Sequence, residues 1–393
     1  MKVLIVDSST GRGGAREQAL RLAAGLKQGQ HAEVTLALAE VNHAEVERLP
    51  KGVEVVKLAR RNRSFLRSFA ARREPRAGNH RYLLFFAKLH EVFILELLLV
   101  LRAVFVIRRS GCDVVHLNNL LNIQLAIAIA AQICARPCVS VHQDFEYRSH
   151  LVKFIAKRMS RHIAISKAIA QDLLSLGIGQ EKITIIHNCF DSSRFSVTGA
   201  KSNFSELLGL SDEAKVILFA GRLVEWKGAD LFIEAMSQVT ENVGTVVGVI
   251  VGEGSPQYLA ELHRIGERLE ASSKLFFLPY QNELAPLLRA ATLFVHTPKR
   301  PEPFGMVVIE AMACGCPVIS VREGGPLDII ESGIDGMLVR PRNVSALGAG
   351  IHDLVGDKRL RDRIGFAAVK TVQKFNLENC TSQYVSIYKS LVV

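Results

Sequence analysis

The chain has 393 residues, 49% of them hydrophobic and 22% charged, with a formal net charge of +11. That balance excludes a disordered chain and gives room for two or three domains with buried cores. The seven cysteines, at 112, 134, 138, 189, 314, 316 and 380, are odd in number and irregular in spacing, which excludes a disulfide scaffold and suits a reducing cytosol.

Lys2 to Asp7 is a short apolar run, the pattern of a fully buried parallel strand rather than a signal peptide. Ser8-Ser9-Thr10-Gly11-Arg12-Gly13-Gly14 follows, then a helical pattern from Ala15 to about Gln28. Strands are predicted over Val34–Ala39 and Val53–Leu58, which makes a βαβ opening. The glycine cluster is like a phosphate loop without the Gly-x-Gly-x-x-Gly spacing, so an NAD-dependent oxidoreductase, with Glu40 on a ribose, is one alternative. Between Lys57 and Arg109 stand thirteen Lys or Arg against three Glu, nearly the whole positive excess. Phe65, Leu66, Phe69, Tyr82, Phe85 and Phe86 are interleaved with them. Such a block suits an anionic membrane surface, an anionic acceptor or nucleic acid. The apolar stretch Leu83–Ile107 is interrupted by Lys88, Glu91, Glu96 and Arg102, so it predicts a packed or interfacial helix and not a membrane span.

Further strands are predicted over Asp113–Asn119, Pro137–His142 and His162–Ser166, with a buried helix over Leu120–Ala135. His116, Asn118 and His142 fall at strand carboxyl ends, where open α/β sheets bind ligands. Ser192 to Glu213 is polar and reads as a linker. Alternation then restarts with strands over Val216–Ala220, Val246–Val251, Leu275–Pro279, Ala291–His296 and Pro317–Val321, and a short one after Gly336. The turn Gly221-Arg222-Leu-Val-Glu-Trp-Lys227-Gly228 sets a planar guanidinium fork and a point charge at a strand end, a pair suited to a diphosphate. After the last strand the pattern is helical to the end, apart from Phe375–Glu378.

The most informative stretch is Glu302-Pro303-Phe304-Gly305-Met306, running on to Glu310-Ala311-Met312-Ala313. Two carboxylates stand eight positions apart, with Gly305 opening a helix that ends at Cys314-Gly315. A glycine there lets a ligand approach the backbone, and the free N–H groups of a helix start suit a phosphate. Carboxylates at both ends and a phosphate site between them fit a nucleotide-sugar.

The string Glu-Pro-Phe-Gly-x4-Glu-Ala-Met-Ala-x-Gly-x-Pro-Val-Ile resembles the signature of glycosyltransferase family 4, the retaining glycosyl transferases of group 1. The Gly-Arg-x4-Lys-Gly turn resembles the family's diphosphate site. The resemblance implies an α/β chain of the GT-B fold: two Rossmann-like domains with parallel sheets facing an interdomain cleft. Their expected bounds are 1–191 for the acceptor side and 192–374 for the nucleotide-sugar side, with 375–393 a helix returning to the first domain. It implies a hexosyltransferase moving sugar from a UDP-, GDP- or ADP-sugar to a glycan or lipid-linked acceptor in polysaccharide or glycolipid biosynthesis. The implied donor-binding residues are Gly13, Gly14, Arg222, Lys227, Glu302, Phe304, Gly305, Met306 and Glu310. His142 would line the cleft beside the reacting sugar, Glu302 would hold sugar hydroxyls, and Arg222 and Lys227 would stabilise the leaving diphosphate. No Asp-x-Asp motif is present, so neither metal nor other cofactor is expected. No nucleic-acid partner is expected either. The expected location is cytoplasmic, with the block 57–109 docking on the anionic face of the cytoplasmic membrane as its sharper form. A sugar-nucleotide epimerase of the same fold is the nearest alternative.

Overall fold

In a computed structural model, described here for residues 1–9, 13–58, 96–146, 149–242 and 246–392, the chain forms two compact units. One comprises Met1–Ile165, Ile169–Ile186 and Cys380–Val393, and the other Ser166–Ala168 and His187–Asn379.

The first unit holds a seven-stranded parallel sheet in the order β3-β2-β1-β4-β5-β6-β7. Its strands are β1 Lys2–Asp7, β2 Glu33–Leu38, β3 Glu54–Lys57, β4 Val114–Leu117, β5 Cys138–His142, β6 Arg161–Ala164 and β7 Ile183–Ile185. The near-continuous apolar runs follow from burial on both faces: Val3, Leu4, Ile5 and Val6 are all 1% exposed or less. The strand order reverses between β1 and β4, which places a crevice at their carboxyl ends. Helix Gly14–Gln28 covers β1 and β2, with Ala19, Leu22, Ala23 and Leu26 inward.

The final helix, Leu377–Val392, contributes most of its length to this unit. Tyr388 is fully buried there, its hydroxyl 2.5 Å from His116 Nδ1. Burial pushes the His116 ring down to a pKa of about 4, so it is a neutral packing partner.

Residues 59–95, which carry most of the basic block, lie outside the described residues. Residues 96–110 are helical, and expose Leu97, Leu98, Leu101 and Phe105. Among the described residues, no helix is long and apolar enough to cross a membrane.

The second unit repeats the architecture with six parallel strands in the order β10-β9-β8-β11-β12-β13. These are β8 Lys215–Ala220, β9 Val246–Val251, β10 Leu275–Leu278, β11 Leu293–His296, β12 Val318–Val321 and β13 Met337–Val339. Its switch point lies between β8 and β11. Phe232, Ile233 and Met236 of helix Ala229–Asn242 pack with Ile217, Ile250 and Ile351 in the core.

The segment 192–213 is not the plain linker its polarity predicts. It contains helix Phe204–Leu208, capped by the Asn203 side chain and closed by Gly209 in the left-handed region, with Phe204 buried. One aromatic, one cap and one glycine suffice for a short helix that an average over polar residues hides. All seven cysteines are free thiols.

Candidate active site

The switch point of the second unit is built from two loops. The loop after β8 carries Arg222, Trp226, Lys227 and Gly228, and the loop after β11 carries Thr297, Lys299, Arg300 and Glu302. Hydrogen bonds tie them together: Thr297 Oγ1 donates to the Gly228 carbonyl at 2.9 Å, and the Lys299 N–H to the Trp226 carbonyl at 2.8 Å. Lys299 also pairs with Asp230. Gly228 has φ +74°, and a Cβ there would stand 1.9 Å from the Thr297 carbonyl oxygen. Only glycine lets the two backbones approach this closely.

Lys227 and Glu302, read from sequence as holding different parts of a ligand, are bonded to each other. Lys227 Nζ stands 2.6 Å from Glu302 Oε2. Burial pushes the Glu302 carboxyl up, but the Lys227 ammonium and the His296 ring outweigh it and hold its pKa at about 2. The pair's stabilising contribution is therefore complete at neutral pH and is lost only as pH falls from the ordinary carboxylate range toward 2.

His296, at the end of β11, is the residue that sequence reasoning missed. Its Nε2 lies 3.3 Å from Glu302 Oε2 and its Nδ1 2.9 Å from Ser320 Oγ on β12. Burial lowers its pKa against the pull of Glu302. The hydrogen count closes with a neutral ring: Nε2–H donates to the carboxylate and Nδ1 accepts from the Ser320 hydroxyl. Its position at a strand carboxyl end was the one signal that marked it.

Arg222 is exposed at the turn, which leaves its fork open to a ligand. Lys227 Nζ and Arg300 Cζ each lie 4.3 Å from the centre of the Trp226 ring, so the indole gathers two cations at this edge.

Helix Met306–Ala313 starts at Gly305, whose φ of +107° favours glycine and which, as the N-cap residue, makes no side-chain cap hydrogen bond. The loop ahead of it is held by glycines too. The Gly325 N–H donates to the Glu302 carbonyl at 2.7 Å, and a Cβ on Gly325 would stand 2.3 Å from the Phe304 backbone. Phe304 is 2% exposed and stacks on His187 at 5.4 Å. Its side chain is core, and only its backbone is available for binding. Met306 and Glu310 are half-buried on the same helix.

In the first unit, Gly13 is the extended residue ahead of helix Gly14–Gln28, and both Gly13 and Gly14 are exposed. Beside them at the end of β1, Asp7 is buried with Arg16 at 4.0 Å, and Arg16 also bonds Glu45 at 2.7 Å. His142, at the end of β5, is 1% exposed and has both ring nitrogens engaged, with Glu146 at 3.0 Å and His162 at 2.9 Å. The ring offers no free nitrogen to a ligand in this arrangement.

Residues 201–371 match the family model for glycosyl transferases group 1, and residues 12–194 match that for glycosyltransferase family 4. An uncharacterized glycosyltransferase of Methanocaldococcus jannaschii is 30% identical over 262 residues, covering 64% of this chain and 66% of that protein. The D-inositol 3-phosphate glycosyltransferase of Mycobacterium tuberculosis is 32% identical over 233 residues, covering 57% and 47%. The chain thus spans about half to two thirds of the length of the curated relatives it matches. Anabaena HepE in complex with UDP-glucose superimposes over all of both chains with a TM-score of 0.78 at 26% identity. A Rickettsia africae glycosyltransferase does so over 100% and 98% with a TM-score of 0.82 at 18% identity, which shows the fold alone. Such neighbours identify the two parallel-sheet units as Rossmann-like domains of the GT-B fold.

Proposed function

Because the chain belongs to glycosyltransferase family 4, we propose that it moves a sugar from a nucleoside-diphosphate sugar to a glycan or lipid-linked acceptor, with retention of anomeric configuration. The observation that carries this reading is the convergence of Arg222, Lys227, Glu302 and the glycine-led start of helix Met306–Ala313 on the β8/β11 switch point. Negative charge grows on the leaving phosphate in the transition state. Fixed cations and N–H donors already aimed there lower the barrier without reorganising. Arg222 and Lys227 neutralise the diphosphate, the backbone of Phe304–Met306 adds N–H donors, Glu302 binds sugar hydroxyls and Glu310 the ribose. Binding a diphosphate gives Lys227 a second anionic partner, and frees part of the Glu302 carboxylate for a sugar hydroxyl. Retention is assigned to front-face attack, with the leaving phosphate taking the acceptor proton. The first unit, with His142 at the end of β5, is assigned to the acceptor, and its Gly13 and Gly14 to the donor.

The complex of HepE with UDP-glucose makes that donor the first to test, and the D-inositol 3-phosphate relatives add a phosphorylated polyol to the acceptors. Each of UDP-, GDP- and ADP-sugars is incubated with a glycan, a lipid-linked sugar and inositol phosphate, in EDTA, and nucleotide release and glycoside formation are followed together. The expected result is equal release of nucleoside diphosphate and α- or β-configured product matching the donor anomer, undiminished by the chelator. Activity abolished by EDTA and restored by Mg²⁺ or Mn²⁺ would overturn the metal-free reading. Conversion of the donor's sugar without acceptor would favour an epimerase.

A further inference from the structure

The loops after β8 and β11 bring four cationic side chains to one edge, Arg222, Lys227, Lys299 and Arg300. Two of them are already neutralised. Lys227 pairs with Glu302 at 2.6 Å, and Lys299 pairs with Asp230. Arg222 and Arg300 are exposed, and neither pairs with a carboxylate among the described residues. Glu225, also on the β8 loop, acts on Tyr258 instead.

A lone cation on a surface loop is usually just solvated. Arg300 differs in how firmly it is held. Its guanidinium lies over the Trp226 ring, Cζ 4.3 Å from the centre. Pro298 and Pro301 flank the Lys299-Arg300 pair, and a residue ahead of proline is confined to extended backbone. Lys299 is anchored three ways. Its N–H donates to the Trp226 carbonyl at 2.8 Å, its carbonyl accepts from Arg342 Nη1 at 2.6 Å, and its ammonium sits on Asp230. Arg342, which follows β13, is steadied in turn by Glu323, which follows β12, with contacts of 3.0 and 3.4 Å. Four loops of the sheet edge thus hold the backbone that presents one exposed guanidinium.

That order favours binding. A side chain already stacked has less freedom to lose when an anion arrives. The indole orients the guanidinium through its ring face and takes up none of its N–H donors. None of those donors bonds a described residue. The planar fork matches the oxygens of a phosphate. Lys227 Nζ stands 4.3 Å from the same ring centre, and two cations that share one ring lie within the span of a diphosphate. With Lys227 and Lys299 balanced by carboxylates, Arg222 and Arg300 leave one unbalanced guanidinium for each phosphate of a nucleoside diphosphate.

We propose that Arg300 is a further binding residue for the diphosphate of the donor, and that Trp226 is the positioning residue that presents it. The proposal rests on the reading that this edge holds a nucleoside diphosphate.

UDP, GDP and ADP are titrated calorimetrically into the wild type, without added metal, and the tightest binder is carried to the variants. Arg300→Ala is expected to weaken it about tenfold, the effect of losing a charge-assisted hydrogen bond. Arg300→Lys keeps the charge without the fork and should recover part of the loss. Melting temperatures should not move, because Arg300 is exposed. In the Trp226→Leu background, Arg300→Ala should cost about threefold less than in the wild type, since the side chain is no longer held in place. Equal costs in the two backgrounds would overturn the positioning role of Trp226. Inositol phosphate, titrated into the same proteins, separates the two sources of a phosphate. A loss for inositol phosphate with none for the nucleotide would overturn the proposal by moving Arg300 to a phosphorylated acceptor. Unchanged nucleotide affinity in Arg300→Ala, beside weakened affinity in Arg222→Ala, would overturn it and leave the transferase reading standing. Failure of all three nucleotides to bind the wild type would overturn both.

Discussion

Replacing Lys227 by alanine is expected to lower the transfer rate by about two to three orders of magnitude, the usual loss for a preorganised charge partner of a leaving group. It is also expected to destabilise the second unit by about 3–5 kcal/mol, because breaking a buried ion pair leaves its other member unpaired. Glu302 has a side chain 10% exposed, with Lys227 at 2.6 Å as its cationic partner and the neutral His296 ring as its other hydrogen-bond partner. The two losses can be separated. In Lys227→Met/Glu302→Gln both charges are gone and His296 still has an oxygen to bond, so the melting temperature should recover most of the way while transfer stays low. Thermal melts and initial rates on the three proteins decide it. Wild-type turnover in Lys227→Ala would remove the residue from the mechanism.

A single methyl on Gly228 should do comparable damage by another route. Its φ of +74° costs an L-residue about 1–2 kcal/mol, and a Cβ 1.9 Å from the Thr297 carbonyl oxygen adds about 1–3 kcal/mol of overpacking. The β11 loop must retreat, carrying Glu302 away from Lys227. A displacement of about 1 Å is enough for a hundredfold loss of rate. Gly209→Ala is the control: φ is +66° but nothing lies within 4 Å of the new Cβ. It should cost stability through the backbone alone and leave transfer unchanged. Equal rates in Gly228→Ala and Gly209→Ala would show that the contact between the two loops does not position the site.

Much of this architecture is legible in the chain. Parallel strands buried on both faces write themselves as short apolar runs, and the runs over Lys2–Asp7 and Val246–Val251 match their strands end to end. The helix after Gly305 is equally plain, because a glycine starts it and a glycine follows its end. Partnership is less legible. That Lys227 and Glu302 meet depends on β8 and β11 lying side by side, a register that periodicity within either strand does not encode. His296 hides for the same reason, its partners being six residues ahead and one strand across. The contacts that engage His142 are further from view, since they need a carboxylate on a loop and a ring on the next strand at fixed distances.

The central claim is that the β8/β11 edge of the second unit holds the diphosphate of a sugar nucleotide. Calorimetric titration of UDP, GDP and ADP into the wild type and into Arg222→Ala, without added metal, tests it most directly. Arg222 is exposed, so its loss should leave the melting temperature unchanged. At least one nucleotide should bind the wild type, and Arg222→Ala should weaken that binding by about tenfold or more, the effect of losing a charge-assisted hydrogen bond. Equal affinity in the two proteins, or no binding of any of the three to the wild type, would contradict the assignment.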